Sequence, residues 1–260
     1  MMSKLYSETF GQGERVVMLH GWAMHSGVWR EFAQEIAKNN QVTCIDLPGH
    51  GRSKACSSAE LNDWTAEVVD VLPAESCHFI AWSLGGNIAL DIAKKFPNRV
   101  KSMTLIASNP HFMKTQTWFG VSERVLEEFE KNLNSNIDAT LFRFLTLQVQ
   151  GMSGIKLYLK KIKSVMQEFA APNIQVLKNG LSLLRCSDLR GAVQSISCPA
   201  QLILGSLDTL VPADISSDCK TLRPALECHI IEGAGHIPFI THTKETLEVV
   251  QNFIEQRGVR

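Results

Sequence analysis

At 260 residues, with 45% apolar and 20% charged side chains, the chain is long enough to bury a sizeable core and ordinary enough in composition to be globular. Twenty-six basic residues balance 26 acidic ones, so the total charge gives neither nucleic acid nor a membrane surface a reason to bind. No apolar run approaches the roughly 18 residues that span a bilayer, and the opening MMSKLYSETFGQGERVV lacks the apolar stretch of a secretory signal.

Taken in chain order, short apolar runs alternate with amphipathic ones. RVVMLH (15–20) and QVTCID (41–46) read as strands, separated by the helical pattern VWREFAQEIAKN. LNDWTAEVVDVL is a second helix. CHFIAW (77–82) is a strand that runs straight into the helical GGNIALDIAKKF, and VKSMTLIA (100–107) follows. From Pro110 to Ser195 helices replace strands: in IKLYLKKIKSVMQEF the residues Ile155, Leu159, Ile162, Met166 and Phe169 share one face. AQLILG (200–205) and ECHII (227–231) restore the strand pattern before the closing helix KETLEVVQNFIEQR.

Near-continuous hydrophobicity in the strands predicts a mostly parallel sheet covered on both faces, a doubly wound α/β fold. Residues 1–109 and 196–260 form its core, and residues 110–195 an insertion over the top of the sheet, a helical lid. The seven cysteines, at 44, 56, 77, 186, 198, 219 and 228, are scattered with no C-x-x-C pair and read as reduced side chains of a cytoplasmic protein.

Sites on such a sheet gather at the carboxyl ends of the strands. There Ser83 stands between an apolar strand and a glycine-rich helix start, either as an N-cap or as a nucleophile on a tight turn. A nucleophile needs a base, and His236 lies in the loop EGAGHIPFITH after the last strand. His78 and His229 fall within strands; His25, His50, His111 and His242 follow no strand as directly, and His20 precedes a glycine in what reads as a structural role.

The orienting acid is Asp208 in LILGSLDTLVP, where Val211-Pro212 marks the start of the next helix. Asp46 is the rival carboxylate, but it precedes Ser83, whereas Ser83, Asp208 and His236 occur in nucleophile–acid–base order. The oxyanion would be received by the backbone N–H groups of Leu84, at the helix start, and of Trp22, after a turn permitted by Gly21.

MLHGWAMHSGVWR, IDLPGHGRS, WSLGGNIA, GSLDTLVP and GAGHIPFITH together resemble the α/β-hydrolase superfamily over nearly the whole chain. HGW…VW, WSLGG, RFLTLQ and LDTLVP…PFITH resemble in particular the pimeloyl-acyl-carrier-protein methyl ester carboxylesterase (BioH) family of biotin synthesis. That resemblance implies an α/β-hydrolase fold with a helical lid inserted after the sixth strand, the triad Ser83, Asp208 and His236, and no metal or organic cofactor. It implies substrate contacts from Trp22, Ser83, Leu84, Phe144, Leu145, Thr146, Leu147, Gln148 and His236. The partner it implies is an acyl carrier protein, met by a monomer with no role for nucleic acid or membrane.

Two positions depart from the family motifs: Ala81 stands where a glycine is usual, and Thr243 where a proline is. Residues 139–169 carry five bases and one acid, with Lys156, Lys160 and Lys163 in one stripe. The family's carrier-docking bases correspond to Arg143, Lys156 and Lys160, while Ala139 lacks the expected base. Another short-chain esterase, a C–C hydrolase, or a ligand-binding protein that has lost catalysis are the competing readings, since fold alone does not separate them.

Overall fold

CHFIAW is buried at all six positions, which demands cover on both faces of its sheet. The computed structural model, which describes residues 5–56 and 58–258, supplies that cover. Its strands are β1 (Ser7–Gly11), β2 (Glu14–Leu19), β3 (Asn40–Ile45), β4 (Cys77–Trp82), β5 (Val100–Ile106), β6 (Ala200–Gly205) and β7 (Glu227–Ile231). They form one sheet in the order β1-β3-β2-β4-β5-β6-β7. All neighbours run parallel except β1, which pairs antiparallel with β3 from Ser7 opposite Ile45 to Gly11 opposite Gln41.

The helices between the strands are α1 (Arg30–Ile36), α2 (Leu61–Val69) and α3 (Leu84–Lys95). Then come α4 (Glu123–Ser135), α5 (Ile137–Gln148), α6 (Ile155–Met166), α7 (Ile174–Cys186) and α8 (Arg190–Ser195), followed by α9 (Ile215–Leu222), α10 (Pro238–Thr241) and α11 (Thr243–Gly258). Strand side chains alternate between faces. Val16, Met18, Ile80 and Trp82 join a core with Phe32, Ile36, Val250 and Ile254 of α1 and α11. Val17, Leu19, Phe79 and Ala81 join the other core, with residues of α2, α3, α8 and α9. Cys44, Cys77, Cys198 and Cys219 are buried free thiols in these layers.

Helices α4 to α8 lie between β5 and β6, where the insertion is expected, but five strands precede it rather than six. A single antiparallel strand, β1, precedes the parallel set, and with β2 to β5 it makes five before the insertion among the described residues. The last helix of the segment, α8, lies against α3 and α9. The helix expected at Val211-Pro212 begins a turn later, at Ile215, whose N–H donates to the Pro212 carbonyl at 3.1 Å.

Candidate active site

Ser83 occupies the N-cap position of α3, yet its side chain makes no capping hydrogen bond. Its backbone has φ 53° and ψ −119°, a region that costs a non-glycine residue strain and persists only where the surroundings impose it. They do so here: the Ser83 N–H donates to the Ile106 carbonyl at 3.0 Å, and Ser108 Oγ donates to the Ser83 carbonyl at 2.9 Å. The following glycines admit the close approach of neighbouring chain. A Cβ at Gly85 would lie 2.5 Å from the Leu19 carbonyl oxygen, and one at Gly86 would lie 2.0 Å from Ser108 Oγ. Ala81 is fully buried in β4, opposite Leu19 and Leu105.

The hydroxyl freed from capping meets His236. Ser83 Oγ lies 3.0 Å from His236 Nε2, and His236 Nδ1 lies 2.7 Å from Asp208 Oδ2. An ionised carboxylate only accepts, so Nδ1 carries the proton and donates to Asp208, which leaves Nε2 to accept from the Ser83 hydroxyl. Asp208 is held by its other oxygen, which accepts from the N–H groups of Leu210 and Val211 at 2.8 and 2.9 Å. The three side chains come from loops after β4, β6 and β7, and all are buried.

The Leu84 N–H is the first of α3 and so has no intrahelical partner. The Trp22 N–H donates no hydrogen bond among the described residues. The turn ahead of it differs from expectation. Positive φ falls at Ala23 (60°), not at Gly21. Gly21 is needed for proximity instead, because a Cβ there would press 3.0 Å from the Trp82 ring and 3.2 Å from Ser83 Cβ.

The rival groups are tied up elsewhere. His20 Nδ1 donates to the Gly21 carbonyl and Nε2 accepts from the Leu47 N–H; burial, with His50 beside it, pushes its pKa down to about 3. His50 is fixed the same way, between the Pro48 carbonyl and the Ala23 N–H, and burial lowers it to about 4. Asp46 accepts from the Ser26 and Arg52 amides and the Arg52 side chain. Burial pushes its carboxyl up, but His20 and these donors outweigh it and hold the pKa below its usual value.

The segment Phe144–Gln148 belongs to α5, and a helix spreads five consecutive side chains around its axis. Phe144 packs edge-on against Trp22 with ring centroids 4.8 Å apart. Leu145 joins the cluster with Trp82 and Phe239, Thr146 Oγ1 donates back to the Phe142 carbonyl, and Leu147 is half-buried. Gln148 is fully buried, and neither atom of its amide makes a hydrogen bond among the described residues. Its backbone carbonyl accepts from the His236 N–H at 2.9 Å, which ties the insertion to the histidine loop.

Sequence patterns gave no signal for two supports. Trp82 Nε1 donates to the His236 carbonyl at 2.8 Å, and Trp22 Nε1 donates to the Leu177 carbonyl at 2.9 Å. Between Trp22, Leu210 and the insertion lies an apolar cavity of about 20 Å³, bordered by Phe129, Phe144, Leu181 and Leu184. Arg143 pairs with Glu128 at 3.2 Å, while Lys156 and Lys160 are exposed on α6. Among the described residues no group of three or more His, Cys, Asp or Glu side chains is arranged to hold a metal ion. None of the described helices is long and apolar enough to cross a membrane.

A strained serine at a strand–helix joint, in reach of a histidine and an acid from later strands, is the layout of a hydrolase. A family model described as alpha/beta hydrolase fold matches residues 14–243. In shape the chain is similar to the esterase of Exiguobacterium antarcticum (TM-score 0.86, 18% identity, 96% of this chain and 95% of that one). It is similar too to a bromoperoxidase of Bacillus anthracis (TM-score 0.88, 18% identity, the same coverage of each). At such identities the likeness speaks for the fold alone.

The sequence relatives are more specific. Proteins named pimeloyl-[acyl-carrier protein] methyl ester esterase share 35% identity over 250 residues in Methylococcus capsulatus (96% of this chain, 98% of that one). The figures are 33% over 256 residues in Yersinia pestis (98% and 99%) and 34% over 248 in Aeromonas hydrophila (95% and 98%). The chain belongs to the α/β-hydrolase family and, within it, to the family of these esterases.

Proposed function

We propose that the chain is a serine carboxylesterase that hydrolyses the methyl ester of pimeloyl-acyl-carrier protein, releasing methanol and pimeloyl-acyl-carrier protein for biotin synthesis. It acts as a cytoplasmic monomer and without a cofactor. The observation that carries the hydrolytic reading is His236 bridging Ser83 and Asp208 at 3.0 and 2.7 Å. The acyl group and its carrier are supported by the named relatives.

His236 Nε2 takes the hydroxyl proton as Ser83 Oγ attacks the ester carbonyl. Asp208 keeps the imidazole in the required tautomer and balances the charge it gains. The oxyanion is received by the free N–H groups of Trp22 and Leu84, the latter at the positive end of α3. His236 then protonates the departing methoxide, and a water attacks the acyl-enzyme by the reverse route. The cavity of about 20 Å³ beside Trp22 has room for little more than one water-sized group. A chain of several methylenes therefore requires α4 and α5 to shift, which is the sense in which residues 110–195 act as a lid. Arg143, Lys156 and Lys160 meet the acidic carrier from the outer surface of that lid.

The test is methanol release from pimeloyl-carrier-protein methyl ester by the wild type and Ser83→Ala, with p-nitrophenyl butyrate in parallel. The expected loss in the variant is on the order of 10³-fold or more in kcat on both substrates. Turnover of the small ester alone by the wild type overturns the carrier-linked assignment, and undiminished turnover by Ser83→Ala overturns the nucleophile.

A further inference from the structure

Large apolar side chains standing in water are ordinary when scattered, but two of them flank a row of lysines here. Phe142 on α5 is 47% exposed and Leu157 on α6 is 69% exposed. Between them Lys156, Lys160 and Lys163 form one stripe on α6, about 10 Å long from the helical rise. None of the three makes an ion pair among the described residues, whereas Lys161 is held by Glu31 at 2.5 Å. The Lys163 ammonium lies 5.6 Å from the centroid of the Phe142 ring, so the phenyl borders one side of the stripe. On the other side Leu157 and Lys160 stand at the rim of a groove of about 420 Å³ between α6 and α1, floored by Val28, Phe32, Val165 and Phe239.

The charges on this surface are weaker than a count of bases suggests. Arg143 shares its charge with Glu128, 3.2 Å away, and lies 5.8 Å from the Phe129 ring, and position 139 is an alanine. The cations without an ion pair among the described residues are three lysines, point charges that salt screens and that cannot form the forked pairs an arginine makes. Such charges steer a partner into place, while affinity comes from desolvated apolar contact.

We propose that Phe142, Leu157 and the adjoining groove are the apolar contact of the carrier-docking surface, with Lys163 as a further cation beside Arg143, Lys156 and Lys160. The surface fits an acidic amphipathic helix, its carboxylates over the three lysines and an apolar side chain in the groove beside Leu157. This rests on the carrier-linked reading above and names the residues of this chain that give the complex its affinity.

The experiment compares the wild type with Phe142→Ser, Leu157→Ser and the double variant on pimeloyl-carrier-protein methyl ester and on p-nitrophenyl butyrate. Both side chains are exposed, so the fold does not depend on them. The double variant is expected to raise KM for the carrier-linked ester about tenfold, and to keep that deficit at 0.5 M salt as well as at about 0.15 M, where charge screening differs. kcat and the small-ester kinetics should not change. An unchanged KM for the carrier-linked ester overturns the proposal, and so does an equal loss on both substrates, which would mean a packing role. If the wild type releases no methanol, the functional reading fails while the surface is still decided by titrating purified acyl carrier protein against wild type and double variant. Equal Kd values then overturn it, and a weakened double variant supports it.

Discussion

At the scale of single residues, the joint between β4 and α3 is built by exclusion of atoms. Gly86 faces Ser108 so closely that a Cβ would stand 2.0 Å from its Oγ, and that same oxygen holds the Ser83 carbonyl. Gly86→Ala is therefore expected to push Ser108 away, lowering stability by about 1–3 kcal/mol as overpacking does, and to lower kcat through the displaced Ser83. Ser108→Gly in the same chain should return part of the melting temperature, because it removes the oxygen in the way. A double variant no better than Gly86→Ala would show that the clash is not the cause. The order of Ser83, Asp208 and His236 was readable in the sequence because each follows a strand. Ser83's refusal to cap was not readable, since it depends on φ, and φ at a serine leaves no mark in composition. The role of Gly21 was misread for a related reason: a glycine signals a turn and a close contact with the same letter.

At the scale of elements, α6 puts little of itself into the core. Only Ile162 among its residues is fully buried, although the apolar face read from the sequence names five positions. The helix is tied down by polar contacts to the core instead. Arg30 donates twice to the Glu168 carboxylate, at 2.7 and 2.6 Å. Tyr158 donates to the Thr241 carbonyl at 3.2 Å, and His25 Nε2 donates to the Val165 carbonyl at 2.7 Å. Periodicity showed the helix; these tethers join residues more than 80 positions apart and have no local pattern. The hydrogen bonds from Arg30 hold the Glu168 carboxyl below its usual pKa. A depressed carboxyl stabilises the fold above its unfolded pKa, and this contribution is lost as pH falls through the lower, folded value. Glu168→Gln at pH 7 should thus reproduce what acid does to the wild type: faster amide exchange in α6 and in residues 167–173. Global stability should change by less than about 1 kcal/mol, as the pair is largely solvent-exposed. Exchange rates in α6 that match the wild type would show that Ile162 and the backbone contacts suffice to hold it.

At the scale of the whole molecule, the parallel sheet was legible because its strands are buried on both faces and so spell continuous apolar runs. β1 was not: SETFG alternates between exposed and half-buried positions at the sheet edge, where one face and one side meet water. Burial also traps histidines in the neutral form, in the loops that leave the sheet as well as within it. His20 and His50 each use one ring nitrogen as donor and the other as acceptor, so a second proton would break a hydrogen bond. His78, buried in β4 against Ser102 Oγ, is lowered to about 4, chiefly by burial and then by Lys101. In the unfolded chain each regains a pKa near 6.5, so below that pH the unfolded state binds about three more protons than the folded one. The contribution is fully present above about pH 6.5 and is lost progressively as pH falls toward the folded values near 4 and 3. Each histidine adds about 1.4 kcal/mol of lost stability per pH unit inside that window. Denaturant unfolding between pH 7 and 5 tests this, with His78→Gln as the comparison because it lies away from Ser83 and keeps a polar atom beside Ser102. The variant should show a pH slope shallower by about one proton. A slope equal to that of the wild type would mean His78 is already protonated in the folded chain, with the carboxylate of Glu14, 3.8 Å from its Nε2, as the group that keeps it so.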